Sequence, residues 1–267
     1  MQDGRRWRDH ADRPAEALVT EQRYPEMANG TAPLTAAHPG GLMVVVCSLG
    51  KVRIEWAISF ALQPSPFGIG RHTLFIPNKT TIEARNLAVQ AARSTQSKYL
   101  MFWDDDMIPQ DRFGLERLYT TMSHNPQIDV LGGVYPIRRD IASPIVVKDK
   151  GATEPYWGWQ DGKAHRVFMV GTGFMMIRME SFEDIDLPWF DDSQLLSDDY
   201  FFAEICQDKG KRIYVDGSVV CDQMNLDGKR FNVNAARGTE VVEDEPGSNI
   251  AGMKPAITTD GVRIITG

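Results

Sequence analysis

The chain has 267 residues and a formal net charge of −7, with 42% apolar and 24% charged residues. That length can bury a core without disulfides or structural metals. The acidic balance excludes a protein that coats nucleic acid or anionic membrane. Three cysteines, Cys47, Cys206 and Cys221, form no C-x-x-C pair and no zinc-type spacing, which predicts a reducing compartment.

The opening "MQDGRRWRDHADRPAEALVT" is charged throughout and has no apolar core, so no secretory signal is expected there. The longest nearly apolar run, Val167 to Ile177, is shorter than the roughly 18 residues of a bilayer span. The expectation is a soluble, cytoplasmic protein. Residues 1–40 lack periodicity and read as a flexible arm, 41–237 as a single domain, and 238–267 as a weakly patterned tail or mobile cover.

Order is expected to begin at "LMVVVCSLG", a buried strand ended by Gly50. "RIEWAISFALQ" reads as a helix stopped by Pro64 and Pro66, and "HTLFIP" as a second strand. Leu87, Ala88, Ala91 and Ala92 give one apolar face to a helix over 80–96. "YLMFW" is the third strand, and Leu115, Leu118, Tyr119 and Met122 predict a helix over 111–123. "IDVLGGVYP" is the fourth strand. The alternation implies a largely parallel sheet with right-handed crossovers and helices on both faces. In the second half, "YWGWQDGKAHRVFMVGTGFMMIRM" has a turn at Asp161-Gly162 and two strand-like runs, so antiparallel strands should extend the sheet. "SDDYFFAEICQDKG" is a helix capped by Ser197 or Asp198 and stopped at Gly210, and "RIYVDGSVVCD" is a further strand.

The chemistry concentrates at "WDDDM". In an extended segment Asp104 and Asp106 share a face, and two close carboxylates disfavour joint ionisation unless a hard cation such as Mg²⁺ or Mn²⁺ joins them. The triplet is open to two readings: a metal site at the ligand edge of the sheet, or an acidic loop capping the next helix. Asp198 and Asp199 likewise suit a helix start or a cleft in which one carboxylate deprotonates an acceptor hydroxyl. Glycines inside "GTGFMM", Gly173 among them, predict a bulge or the close approach of backbone or ligand. Tyr135 is placed to stack on a sugar or base. Short basic clusters, Arg138 with Arg139 among them, suit phosphate contact or plain solvation.

In order, "VVVCSLG", "EARNLAV", "YLMFWDDDM", "VLGGVYPIRR", "GTGFMMIR" and "SDDYFFAEICQDKGKRIYVDGSVV" resemble a nucleotide-sugar glycosyltransferase of the GT-A fold, family-2-like, over about residues 41–225. Short members of this style are similar to some encoded by bacteriophages. The resemblance implies a Rossmann-like mixed α/β sheet and a nucleoside-diphosphate sugar, UDP-sugar by family default, with Mn²⁺ or Mg²⁺. Asp104 and Asp106 match the D-x-D carboxylates, Asp106 as the direct ligand. Cys47 and Ser48 would lie near the base, and Arg85 and Asn86 would approach the donor, with Asp105 and Gly173 counted in the same site. Asp199 takes the position of the base in inverting members, with Asp198 beside it. Two departures stand out: Asp198 replaces a glutamate, and Gln223 stands where a histidine ligand is common, with Asp222 as an alternative. Acceptors implied are a glycan or, if phage-like, a modified nucleobase, and Trp157 and Trp159 are candidates for an acceptor groove. The competing readings are a nucleotidyltransferase, which would release pyrophosphate, and a non-catalytic nucleotide-sugar-binding domain.

Overall fold

Val44, Val45 and Val46 sit in an uncharged run, and β-branched side chains pack well on a pleated surface covered on both sides. In the computed structural model this run is β1 (Leu42–Ser48). The structure describes residues 40–138, 142–192 and 197–233, with strand pairing alone for 256–257 and 263–264. The expected N-terminal arm up to residue 39 and the expected tail side chains therefore lie outside the described residues.

The first half continues with α1 (Ile54–Leu62), β2 (Arg71–Pro77), α2 (Thr81–Ser94), β3 (Tyr99–Trp103), β4 (Met107–Pro109), α3 (Gly114–His124) and β5 (Val130–Val134). The second half adds β6 (Val146–Val147), a 3-10 turn at Gly158–Asp161, β7 (Ala164–Val167), β8 (Met169–Val170) and β9 (Phe174–Arg178). It ends with α4 (Asp198–Asp208), β10 (Ile213–Met224) and β11 (Arg230–Phe231), before a small ladder of β12 (Ala256–Ile257) with β13 (Arg263–Ile264).

The main sheet runs β2-β1-β3-β9-β5-β10-β11, with β4 and β7 also paired to β10. β1 is parallel to both β2 and β3, and β10 is parallel to β5, as the β-α alternation requires. Of the two expected antiparallel runs, β7 extends the sheet along β10, whereas β9 is a correction: it enters the middle, antiparallel to both β3 and β5. All five of its residues are buried, and its backbone groups are paired on both sides, by β3 and by β5.

Helices cover both faces. Ala88 and Ala92 of α2 and Phe202 and Cys206 of α4 pack with Val45 and Phe102 on one. Trp56 of α1 and Leu115, Leu118 and Met122 of α3 pack with Val44 and Trp103 on the other. Two helix starts matter for the cleft. Thr80 and Glu83 close a reciprocal capping box at 3.2 and 3.1 Å, which stabilises the α2 start by about 1 kcal/mol. Ser197 caps α4, accepting from the Tyr200 N–H at 3.3 Å; this frees Asp198 and Asp199 from capping.

Tyr135 is a second correction. It is 4% exposed, and its hydroxyl accepts from the Gly173 N–H at 2.7 Å, so it packs on the glycines of "GTGFMM" instead of presenting a ring for stacking. A Cβ on Gly171 would lie 2.1 Å from that hydroxyl. Gly171→Ala is therefore expected to cost about 1–3 kcal/mol in urea denaturation, with part of the loss recovered when Tyr135→Phe is added.

Candidate active site

The ends of β1 and β3 and the starts of α2 and α4 open onto one cleft of about 550 Å³, lined among others by Thr80, Arg85, Asp104, Asp198, Asp199 and Gln223. This is where open α/β sheets hold ligands.

The aspartate triplet is not an extended strand end. β3 stops at Trp103, and the Met107 N–H donates to the Asp104 carbonyl at 3.1 Å, closing a turn. Aspartate favours such turns, and two indoles pin this one: Trp56 donates to the Asp104 carbonyl at 3.0 Å and Trp103 to the Met107 carbonyl at 2.9 Å. The Asp104 N–H donates to the Gly173 carbonyl at 2.8 Å. Alternation of faces therefore does not govern Asp104 and Asp106, and each has its own partners.

Asp104 Oδ2 accepts from Arg85 Nη2 at 3.2 Å. The same guanidinium is hydrogen-bonded to Asp198 and lies 3.6 Å from Asp199 Oδ1, while the Arg85 side chain is only 5% exposed. One buried cation thus faces three carboxylates. Burial raises the pKa of Asp104 and of Asp199 above the usual aspartate value, Arg85 opposing it in both. Asp199 Oδ1 also accepts from the Thr172 N–H and hydroxyl at 3.0 and 2.6 Å. Asp105 hydrogen-bonds Ser48, whose hydroxyl also accepts from the Gly50 N–H at 3.0 Å. Asp106 Oδ2 accepts from Gln223 Nε2 at 3.1 Å and pairs with the Arg138 guanidinium.

Asp104 Oδ1 and Gln223 Oε1 of the cleft lining, and Oδ1 of Asp106, which Gln223 hydrogen-bonds, are buried with no hydrogen-bond partner. Buried acceptors are rarely left so. Carboxylate and amide oxygens are the donor set of Mg²⁺ and Mn²⁺, which often use one or two carboxylates and complete their shell with phosphate or water. The residues fit such a cation. Among the described residues no three His, Cys, Asp or Glu side chains gather to hold a metal.

Residues 64–186 match the family model described as Glycosyl transferase family 2. The crystal structure of A197 from STIV aligns with a TM-score of 0.51 at 20% identity, covering 72% of this chain and 93% of that one. The chain has the GT-A fold of glycosyltransferases. The structure of GalNAc-T7 with UDP, GalNAc and Mn²⁺ aligns at TM-score 0.50 and 11% identity, over 69% of this chain and 44% of that one. The chain thus spans less than half of GalNAc-T7. No curated protein sequence matches it.

Within this GT-A fold several expected residues have other work. Asn86 is buried, and its amide donates to the Ile82 and Phe190 carbonyls while its oxygen accepts from the Trp189 and Phe190 N–H groups. It ties α2 to the segment around Phe190 and has no group left for a sugar donor. Gly173 is likewise occupied, its N–H by Tyr135 and its carbonyl by Asp104; it positions the turn. Asp222 accepts from Gln110 and Asn232 at 2.7 and 2.8 Å, on the strand face opposite Gln223, so it does not replace that residue. Trp159 is buried in the core. Cys47 stands at the end of β1, where burial pushes its thiol up to about 12, making it a small neutral group beside the aspartates. Sequence reasoning missed the pairing of Arg138 with Asp106 and that of Thr172 with Asp199; the double arginine at 138 and 139 was the one visible signal. No helix among the described residues is long and apolar enough to cross a membrane.

Proposed function

We propose that the cleft binds a nucleoside-diphosphate sugar, with UDP as the first nucleotide to test, together with Mn²⁺ or Mg²⁺, and passes the sugar to an acceptor hydroxyl. The observation that carries this reading is the trio of buried, unpartnered oxygens on Asp104, Asp106 and Gln223. Those three would hold the cation, which when bound supplies positive charge against a leaving diphosphate. The likeness to a fold whose solved member GalNAc-T7 carries UDP, GalNAc and Mn²⁺ supports the same ligand class.

The chain's own residues then divide the work. Arg85 keeps Asp104, Asp198 and Asp199 together at the cleft wall. Thr172 orients Asp199 through two hydrogen bonds, and the raised pKa makes that carboxylate a stronger base than an exposed aspartate. As the anomeric C–O bond to the diphosphate breaks, its electron pair leaves with the phosphate. The acceptor oxygen forms the new bond, and its proton passes to Asp199. A glycan hydroxyl or a modified nucleobase is the acceptor class, and the three cysteines, none in a disulfide, support a cytoplasmic setting.

Incubation with UDP-sugars should release UDP; pyrophosphate would identify nucleotidyl transfer instead. Gln223→Leu is expected to weaken Mn²⁺ binding by about tenfold or more in calorimetry. An unchanged affinity would remove Gln223 from the donor set.

A further inference from the structure

Arg138 has no part in the scheme above, yet it sits at its centre. Its guanidinium pairs with Asp106 Oδ2, the partner of the very oxygen that is buried and unpartnered. The two ends of the pair differ sharply: the Arg138 side chain is 47% exposed, that of Asp106 only 12%. A long, half-exposed arm therefore reaches in from the segment after β5 and places its charge on a buried carboxylate. Arg85, the other guanidinium of the cleft, is buried and shared among three aspartates, so it has no freedom to move.

Resting on the reading that Asp106 helps hold a divalent cation, we infer that Arg138 exchanges partners: it holds Asp106 until a divalent cation takes that carboxylate, and then pairs with the diphosphate of the sugar donor. Charge compels the exchange. A guanidinium and a divalent cation on one carboxylate repel each other at contact distance, and of the two only Arg138 is on a flexible stem. Arg138 also lies within electrostatic reach of Asp105, so once released from Asp106 it stays beside the cleft, where its guanidinium can meet the donor diphosphate. The planar guanidinium fork matches phosphate oxygens as well as it matches a carboxylate. Arg138 thus competes with the cation and assists the donor.

The two effects have opposite signs, which a merely structural role would not produce. Mn²⁺ alone, and then UDP at saturating Mn²⁺, would be titrated calorimetrically into the wild-type protein, Arg138→Ala and Arg138→Lys. Arg138→Ala is expected to bind Mn²⁺ about two- to fivefold more tightly, since a half-exposed competing pair is gone. The same variant should bind UDP about tenfold more weakly, with Arg138→Lys in between for both. An unchanged or weakened Mn²⁺ affinity, or an unchanged UDP affinity, overturns the exchange. Wild-type protein that binds neither Mn²⁺ nor UDP overturns the parent reading as well, and that failure is visible without any variant.

Discussion

Replacing Arg85 with methionine is expected to destabilise the fold by about 3 kcal/mol at neutral pH, and by less at pH 5. The magnitude follows from leaving buried carboxylates without their cation: Asp104, Asp198 and Asp199 all lean on this one guanidinium. The pH dependence follows from linkage. Burial already holds Asp104 and Asp199 above the ordinary aspartate value, and Arg85 opposes that shift; without it both rise further. An acid whose pKa is higher folded than unfolded binds more protons in the folded state, so stability grows as pH falls through the folded value towards the unfolded one. Urea denaturation of wild type and variant at pH 7 and pH 5 measures the difference. A loss of the same size at both pH values would mean that Arg85 matters for its packing and not for its charge.

Asp199→Asn should lower kcat by about 10²–10⁴-fold while leaving UDP affinity in the presence of Mn²⁺ within about twofold. Asparagine keeps an acceptor for the Thr172 hydroxyl and N–H but cannot take a proton, so the change removes chemistry and little else. The pH profile adds a second check. A base with a raised pKa stays protonated to higher pH, so the acid limb of kcat/KM should stand above the usual aspartate range. Asp198 contributes to that rise through its neighbouring charge; Asp198→Asn should therefore move the limb to lower pH. A limb unmoved by Asp198→Asn and a kcat unmoved by Asp199→Asn would assign proton removal to another group.

The residues differ in how far the sequence announces them. β1, β3, α2 and α3 follow from local runs and spacing, because burial on one or two faces is written into a few consecutive residues. The same locality places Asp104 and Asp199 at cleft-facing ends of elements. Where expectation and structure part, the cause is contact between distant segments. β9 pairs with both β3 and β5, and no local pattern names those neighbours. Asn86 looks available in "EARNLAV" until the Trp189 and Phe190 backbone closes on it. The triplet reads as an extended end because the Trp56 indole, which helps to hold its turn, acts from outside the motif. Arg138 reaches Asp106 across 32 positions of chain, a pairing that spacing cannot express.

The account turns on whether Asp106 makes donor binding depend on a divalent cation. The measurement is a calorimetric titration of UDP into wild type and Asp106→Ala, each with Mn²⁺ and again with EDTA, and with a thermal melt to confirm that the variant is folded. The predicted result is binding to wild type with Mn²⁺ that disappears with EDTA and disappears in folded Asp106→Ala. UDP binding that is equal with Mn²⁺ and with EDTA, or that survives in Asp106→Ala, would contradict it.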